Sequence, residues 1–391
     1  MKAAFFHDAP IYSDGQKMYS TGFPYELWER YLGVFEALVV CTRKRQEKNQ
    51  KAKYKVSSGP RVSFKLNEAY QGPIQLITAH SKITKPIREV VAEIDCAIIR
   101  LPSVIGLLAV KECIRQNKPW AVEVVACPWD SYWNYGNIKG KIFAPYMYTM
   151  TRKYIKKAPY AIYVSKKFLP ERYPCMGYTA YATDTVMSYV AEDVLLKRQN
   201  NNALLNKEKA ITLGLIGSLA VGFKGHKTAL EAVKILKTKG YKVTLKCLGG
   251  GSSSKWESLA QSLGVGENVK FEGVLPGGEA VFKWLDELDI FIMPSLQEGL
   301  PRSMVEAMSR GCPIVGTRVG GIPELIEESC IVRPKDAKDL ATKIEALITN
   351  TEFAKSQSER NFKEARKYVK EETDPIRDAF WQAVRKSCMK E

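Results

Sequence analysis

Short, nearly continuous apolar runs alternate with longer stretches whose apolar residues recur every three or four positions. In the first half, residues 3–6, 38–40, 74–77, 97–99, 121–126 and 161–164 predict strands, while 25–36 and 104–116 predict helices. Strands that are apolar at consecutive positions are buried on both faces, which points to a parallel sheet with helices on either side. The pattern restarts at Ile211 with a strand ITLGLIG, a helix HKTALEAVKILKTKG, a strand KVTLKCLG, a helix SKWESLAQSLG and a strand VKFEG. A helix near 279–288 and a strand at Ile290–Met293 follow. Between the two series, LKRQNNNALLNKEK (196–209) is polar, lacks Gly and Pro, and reads as a connection. Near the end, 374–386 predicts a helix with Ile376, Phe380, Trp381 and Val384 as its packing face. The expected fold class is α/β, with Rossmann-like units at 1–200 and 201–373.

The stretch IFIMPSLQEGLPRSMVEAMSRGCPIVGTRVGGIPELI (290–326) holds the densest chemistry. A strand ends in Pro294-Ser295, and Glu298 and Glu306 then stand eight positions apart around Gly299 and Pro301. A helical run to Arg310, a strand at 313–316 and the loop Gly320-Gly321 complete it. Pro301 suits the first helical position and Gly311 the position just past the end, which would put Glu298 at the helix start and Glu306 in its body. Free N–H groups of a first turn attract anions, and carboxylates accept hydrogen bonds from hydroxyls. Phosphate and hydroxyls together describe a nucleotide sugar.

This segment resembles the E-x7-E signature of retaining glycosyltransferases of family 4, also called group 1. Glu298 and Glu306 fall on the two glutamates, and Pro294-Ser295, Glu306-Ala307-Met308, Gly320-Gly321 and Glu324 match the flanks. The resemblance implies the GT-B fold: an acceptor-binding first domain facing a nucleotide-sugar-binding second domain across a cleft, with a C-terminal helix (374–391) crossing back to the first. It implies that Glu306 binds ribose hydroxyls, that Glu298 binds the transferred sugar, and that Gly299, Leu300, Pro301, Arg302 and Ser303 line the donor. In the loop LIGSLAVGFKGHKTALEA, the glycines Gly217, Gly222 and Gly225 permit a tight backbone, and Lys224 is placed to neutralise a departing diphosphate. Lys224-Gly225 match the family's G-R-L…K-G pattern, but its arginine position is Ser218 here. Arg302 and Arg318 are the candidate replacements. Transfer in the family is described as metal-free, on the front face of the sugar, with the leaving phosphate helping to deprotonate the acceptor. The protein then supplies position and charge stabilisation. No cofactor is expected, and neither D-x-D nor a metal-ligand spacing occurs.

For the first domain, Gly22 in Tyr19-Ser20-Thr21-Gly22-Phe23 resembles the glycine of the loop that approaches the donor phosphate. Many relatives carry a histidine after the strand at 121–126, but this chain reads EVVACPWDSYWNYG there. Asp130 is then the nearest polar group for sugar or acceptor hydroxyls, and joins Lys224 and Glu298 as a candidate catalytic residue. Trp129, Tyr132, Trp133 and Tyr135 crowd that loop and suit sugar stacking, a lipid interface or core packing. His7 and His80 read as structural. His226, beside Lys224-Gly225, either touches phosphate or begins the helix.

Charge sharpens the partner. Residues 1–200 hold 30 Lys and Arg against 17 Asp and Glu, so about +13 of the net +17 lies in the first half. Such a surface suits anionic lipid or a diphosphate-linked lipid. No helix-turn-helix, RNP-like or finger pattern supports nucleic acid. The start, MKAAFFHDAP, reads as a buried strand rather than a signal peptide, and nine scattered cysteines without C-x-x-C suggest reduced thiols. The expectation is a cytoplasmic enzyme, peripheral to the inner face of the membrane, that transfers sugar from a nucleoside-diphosphate donor to a glycan or lipid-linked glycan. The pathway implied is capsule or O-antigen biosynthesis. The alternatives are a nucleotide-sugar epimerase of the same fold and a catalytically degenerate partner subunit.

Overall fold

The computed structural model describes residues 1–45, 54–67, 80–134, 138–184 and 187–389. The strand expected at 74–77 and Tyr135 lie outside these. The first unit contains β1 (Lys2–Phe6), β2 (Tyr12–Ser13), β3 (Met18–Ser20), β4 (Ala37–Arg43), β5 (Lys55–Val56), β6 (Val62–Asn67), β7 (Cys96–Leu101), β8 (Trp120–Val124), β9 (Tyr160–Tyr163) and β10 (Tyr178–Tyr181). Seven of these form one parallel sheet in the order β10-β9-β8-β7-β1-β4-β6, while β2, β3 and β5 make a small antiparallel sheet. The second unit contains β11 (Ile211–Ile216), β12 (Val243–Leu248), β13 (Val269–Phe271), β14 (Ile290–Met293), β15 (Ile314–Thr317) and β16 (Ile331–Val332), paired in parallel in the order β13-β12-β11-β14-β15-β16.

Both sheets are doubly wound for the same reason. The central strands β1, β7, β8, β14 and β15 are apolar and buried along most or all of their length, so each sheet needs helices on both faces. The edge strands β6 (VSFKLN) and β10 (YTAY) are half-exposed and mix polar with apolar positions. Neither shows the continuous apolar run that marks a central strand, so the hydrophobic pattern does not reveal them.

Strand order locates the functional crevices. In the first sheet the chain moves outward through β1, β4 and β6, then returns to β7 beside β1; in the second it moves through β11, β12 and β13, then returns to β14 beside β11. Where winding reverses, adjacent loops diverge and leave a crevice beyond the C-terminal strand ends. In the second unit those loops are 217–225 and 294–301, the two that carry Lys224 and Glu298.

The helix Lys370–Cys388 returns to the first unit, with Phe380, Trp381 and Val384 in one core with Tyr31, Ala121 and Ile162. The Trp381 ring meets Tyr31 edge-on at 5.5 Å. Ile376, expected on the same face, is 43% exposed. Beneath this helix lies a buried ionic cluster: Arg100 donates to Glu123 (2.8 Å) and to Asp184, Arg30 donates to Asp184 (3.0 Å), and the Tyr31 hydroxyl donates to Glu123 (2.7 Å). Arg377 of the returning helix donates to the Thr183 carbonyl.

The polar connection is itself ordered. The helix Glu192–Asn202 packs on the second unit, where Arg198 donates to the carbonyls of Arg310 (3.1 Å), Leu285 (2.9 Å) and Leu288. The boundary expected at 200/201 therefore falls inside a helix that is anchored to the second unit.

Candidate active site

The loop after β11 runs from Gly217 to the helix His226–Thr238, and its last turn needs glycine. Gly225 has φ +80°, and a Cβ there would lie 1.9 Å from the Pro294 carbonyl oxygen. The two crevice loops are thus in backbone contact, and the Leu296 N–H donating to the Phe223 carbonyl (2.7 Å) joins them again. This junction brings the Lys224 ammonium to 2.7 Å from Oε1 of Glu298.

Glu298 stands in the loop ahead of the helix Arg302–Ser309, and Pro301 is the N-cap in extended conformation (φ −75°, ψ 109°). The sequence predicts Pro301 at the first helical residue, but it stands one position before it, and Glu298 precedes the helix by four residues instead of starting it. The run 299–301 stays outside the helix, and the Gly299 carbonyl accepts from the Gly321 N–H at 2.7 Å. Gly311 (φ +63°) follows the helix end, as its position in the sequence predicts.

Glu306 is half-buried in that helix, and its carboxylate accepts no hydrogen bond among the described residues. Burial raises its pKa, partly offset by the Arg302 charge. A carboxylate without a partner in such a place is suited to hydroxyl donors from a ligand. Arg302 is exposed, Ser303 half-buried, and Leu300 buried in the core. Ser218, in the family's arginine position, is exposed. Its hydroxyl donates to the Gly250 carbonyl (3.2 Å) and accepts from the Ala220 N–H (3.3 Å), so it braces the loop without supplying charge. Arg318 is ion-paired with Glu328. Of the two candidate cations, Arg302 is the one whose charge reaches Glu306.

The opposite wall comes from the first unit. A Cβ on Gly299 would lie 2.4 Å from the Val125 carbonyl oxygen, and Asn134 Nδ2 donates to the Leu296 carbonyl at 3.1 Å. The loop after β8 therefore abuts the loop that bears Glu298. Asp130 sits there, in the short helix Pro128–Trp133 capped by Cys127, with its carboxylate 3.6 Å from Arg172. Trp129 stacks on Trp133 (5.2 Å) and meets Tyr148 edge-on, while Tyr132 packs on Phe143, so these aromatics are largely tied to the helix Ile138–Lys157. Gly22 lies in an exposed turn where a Cβ would meet nothing within 4 Å, so packing does not require glycine there.

The three histidines separate clearly. His7 packs on Phe5 and Phe23, and burial and Arg100 lower its pKa to about 4. His80 is exposed at the first position of the helix His80–Glu93. His226 does begin a helix, but its ring is buried on Trp256 (centroids 5.0 Å apart), and burial lowers its pKa to about 4. One contact carried no role in the sequence reading: the Glu324 carboxylate accepts from the N–H groups of Lys166, Lys167 and Phe168 across the two units.

Two doubly wound units that meet along their crevice loops define the GT-B class. The model of the family described as Glycosyl transferases group 1 matches residues 210–350. Protein CapJ of Staphylococcus aureus is 34% identical over 369 residues, covering 94% of this chain and 91% of that one. The amylovoran biosynthesis glycosyltransferase AmsK of Erwinia amylovora is 39% identical over 113 residues, 27% of this chain and 28% of its own. HepE of Anabaena, solved with UDP bound, shares the fold over 100% of each chain with TM-score 0.64 at 16% identity. The chain belongs to the group 1 glycosyltransferases. The GT-B fold and the transferase class expected from the motif both hold.

Proposed function

We propose that this enzyme transfers a sugar from a nucleoside diphosphate to a glycan or lipid-linked glycan, with retention at the anomeric carbon and without a metal. The observation that carries the donor half is Glu306, a half-buried carboxylate with no hydrogen-bond partner among the described residues, beside the Lys224–Glu298 pair. In this reading Glu306 takes the ribose hydroxyls. Lys224 exchanges Glu298 for the diphosphate and stabilises charge as it leaves, which frees Glu298 for the sugar hydroxyls. Asp130 orients the acceptor from the first unit. AmsK, which works in amylovoran biosynthesis, supports a bacterial surface-polysaccharide pathway.

A lipid-linked acceptor is favoured by the helix Ile138–Lys157, which carries six Lys and Arg and no acidic residue. Ile138, Ile142 and Tyr146, spaced along one helical stripe, are 75%, 73% and 50% exposed, and the exposed Trp133 ring lies under the Lys141 ammonium of the same helix. No helix among the described residues is long and apolar enough to cross a membrane, so we place the protein peripherally, on the cytoplasmic face.

The test is a thermal-shift screen against UDP-, GDP-, ADP- and CDP-sugars, followed by transfer with the donor that stabilises the fold. One class of donor should raise the melting temperature, NMR of the product should show the donor's anomeric configuration, and Glu298→Ala should lower turnover at least about a hundredfold. Turnover unaffected by Glu298→Ala, or an inverted product, refutes the reading. Sugar conversion without acceptor would point to an epimerase, and donor binding without any turnover to a degenerate partner.

A further inference from the structure

We infer that Glu324 is a positioning residue for transfer, holding the donor loop of the second unit against the first so that the two halves of the active site meet. Its Oε2 accepts from the N–H groups of Lys166 (2.7 Å) and Lys167 (3.1 Å), and its Oε1 from that of Phe168 (2.7 Å). These amides open the helix Phe168–Arg172 after β9, where backbone donors have no intrahelical acceptor. A carboxylate that accepts three N–H bonds is a strong, directional contact, and this one joins residues of different units.

The contact is coupled to the chemistry through backbone alone. Glu324 follows Gly320-Gly321 by three residues. Gly320 has φ +54°, and a Cβ there would stand 2.0 Å from the Glu298 carbonyl oxygen; the Gly321 N–H donates to the Gly299 carbonyl at 2.7 Å. The segment that bears Glu298 is therefore locked to the segment that bears Glu324. Gly299 in turn presses on the Val125 carbonyl of the first unit, and Asn134 donates to Leu296. A bond made at Glu324 thus fixes where Glu298 stands relative to the loop of Asp130. Glycine at 299 allows the close approach of the two walls, and glycine at 320 allows the segments of Glu298 and Glu324 to lie against each other within the second unit.

The inference rests on the transferase reading, and its test separates the two. Nucleotide binding is built within the second unit, so Glu324→Ala should leave the affinity for whichever of UDP, GDP, ADP or CDP binds the wild type within about twofold, while kcat falls about ten- to a hundredfold. Small-angle X-ray scattering should show a larger radius of gyration for Glu324→Ala than for the wild type. Glu324→Gln, whose carbonyl still accepts, should fall between the two in both measurements and controls for folding by its melting temperature. Wild-type kcat together with unchanged dimensions in Glu324→Ala would overturn the assignment. A loss of nucleotide affinity equal to the loss of kcat would do the same, because it would make the residue a local support of the donor loop. If the wild type turns over no donor, the transferase reading fails, and scattering alone then decides whether Glu324 holds the units together.

Discussion

At the scale of single residues, the candidate site holds an unfavourable carboxylate. Glu306 is held with a raised pKa by burial, so the folded state binds its proton more tightly than the unfolded chain does. The sign follows: its contribution favours the fold while the group is protonated and is lost as pH rises through the folded value. Near neutral pH, Glu306→Gln should therefore raise the melting temperature of the free protein, and the gain should vanish towards acid pH. The same variant should weaken nucleotide binding about tenfold, because hydrogen bonds to a charged acceptor are the stronger kind. Calorimetry with and without nucleotide checks both halves, and a variant that is less stable at neutral pH contradicts the account. Lys224 and Glu298 are legible in the sequence because each lies on a loop whose flanking strand and glycines are local signals, and Glu306 because it stands in the helix that follows. Glu324 is not legible in that way. It lies in the same motif, but its partners are 156 to 158 residues away, and backbone donors leave no trace in side-chain pattern.

At the scale of elements, the start of the helix His226–Thr238 shows how a residue next to the chemistry serves packing instead. The sequence leaves His226 between phosphate and helix start; only the fold shows Trp256 lying over it. Neither ring nitrogen has a hydrogen-bond partner among the described residues, and burial lowers the pKa to about 4. A histidine depressed below its unfolded value near 6.5 is protonated first in the unfolded chain. Stability is therefore retained above about 6.5 and lost as pH falls from there towards 4. His226→Phe keeps the ring on Trp256 and removes both orphaned nitrogens, so it should raise the melting temperature and flatten the loss between pH 6.5 and 4. Parallel pH–melting curves for the variant and wild type would refute this. The same scale explains which strands are visible beforehand. Central strands such as β7 and β8 announce themselves by apolar continuity, whereas β6 and β10 take their strand character from one neighbour each at the sheet edges. The helix Glu192–Asn202 looks like a linker because its anchors are Arg198 and Asn202, polar residues that bury themselves by satisfying carbonyls and Ser358 of other helices.

At the scale of the whole molecule, charge and exposed apolar surface coincide on one unit. The first half carries most of the net +17, and the stripe of Ile138, Ile142 and Tyr146 rises from a helix without acidic residues. This helix packs on the aromatic loop of Asp130, so a bilayer that met the stripe would present its head groups beside the Asp130 side of the cleft. Two forces of different reach then act together. Lys and Arg near an anionic surface contribute about 1 kcal/mol each and are screened by salt within about 8 Å, while burial of the isoleucines is indifferent to salt. Co-sedimentation with phosphatidylglycerol vesicles should accordingly be strong at low salt, weaker at 0.5 M, and weak throughout with phosphatidylcholine. Ile142→Asp should lower binding at both salt concentrations, whereas Lys139→Gln with Lys141→Gln should lower it only at low salt. Neither change touches the donor loops, so transfer to a water-soluble acceptor should stay at the wild-type rate while transfer to a vesicle-borne acceptor falls. Equal losses on both acceptors would show that the helix acts on the active site itself rather than through the membrane.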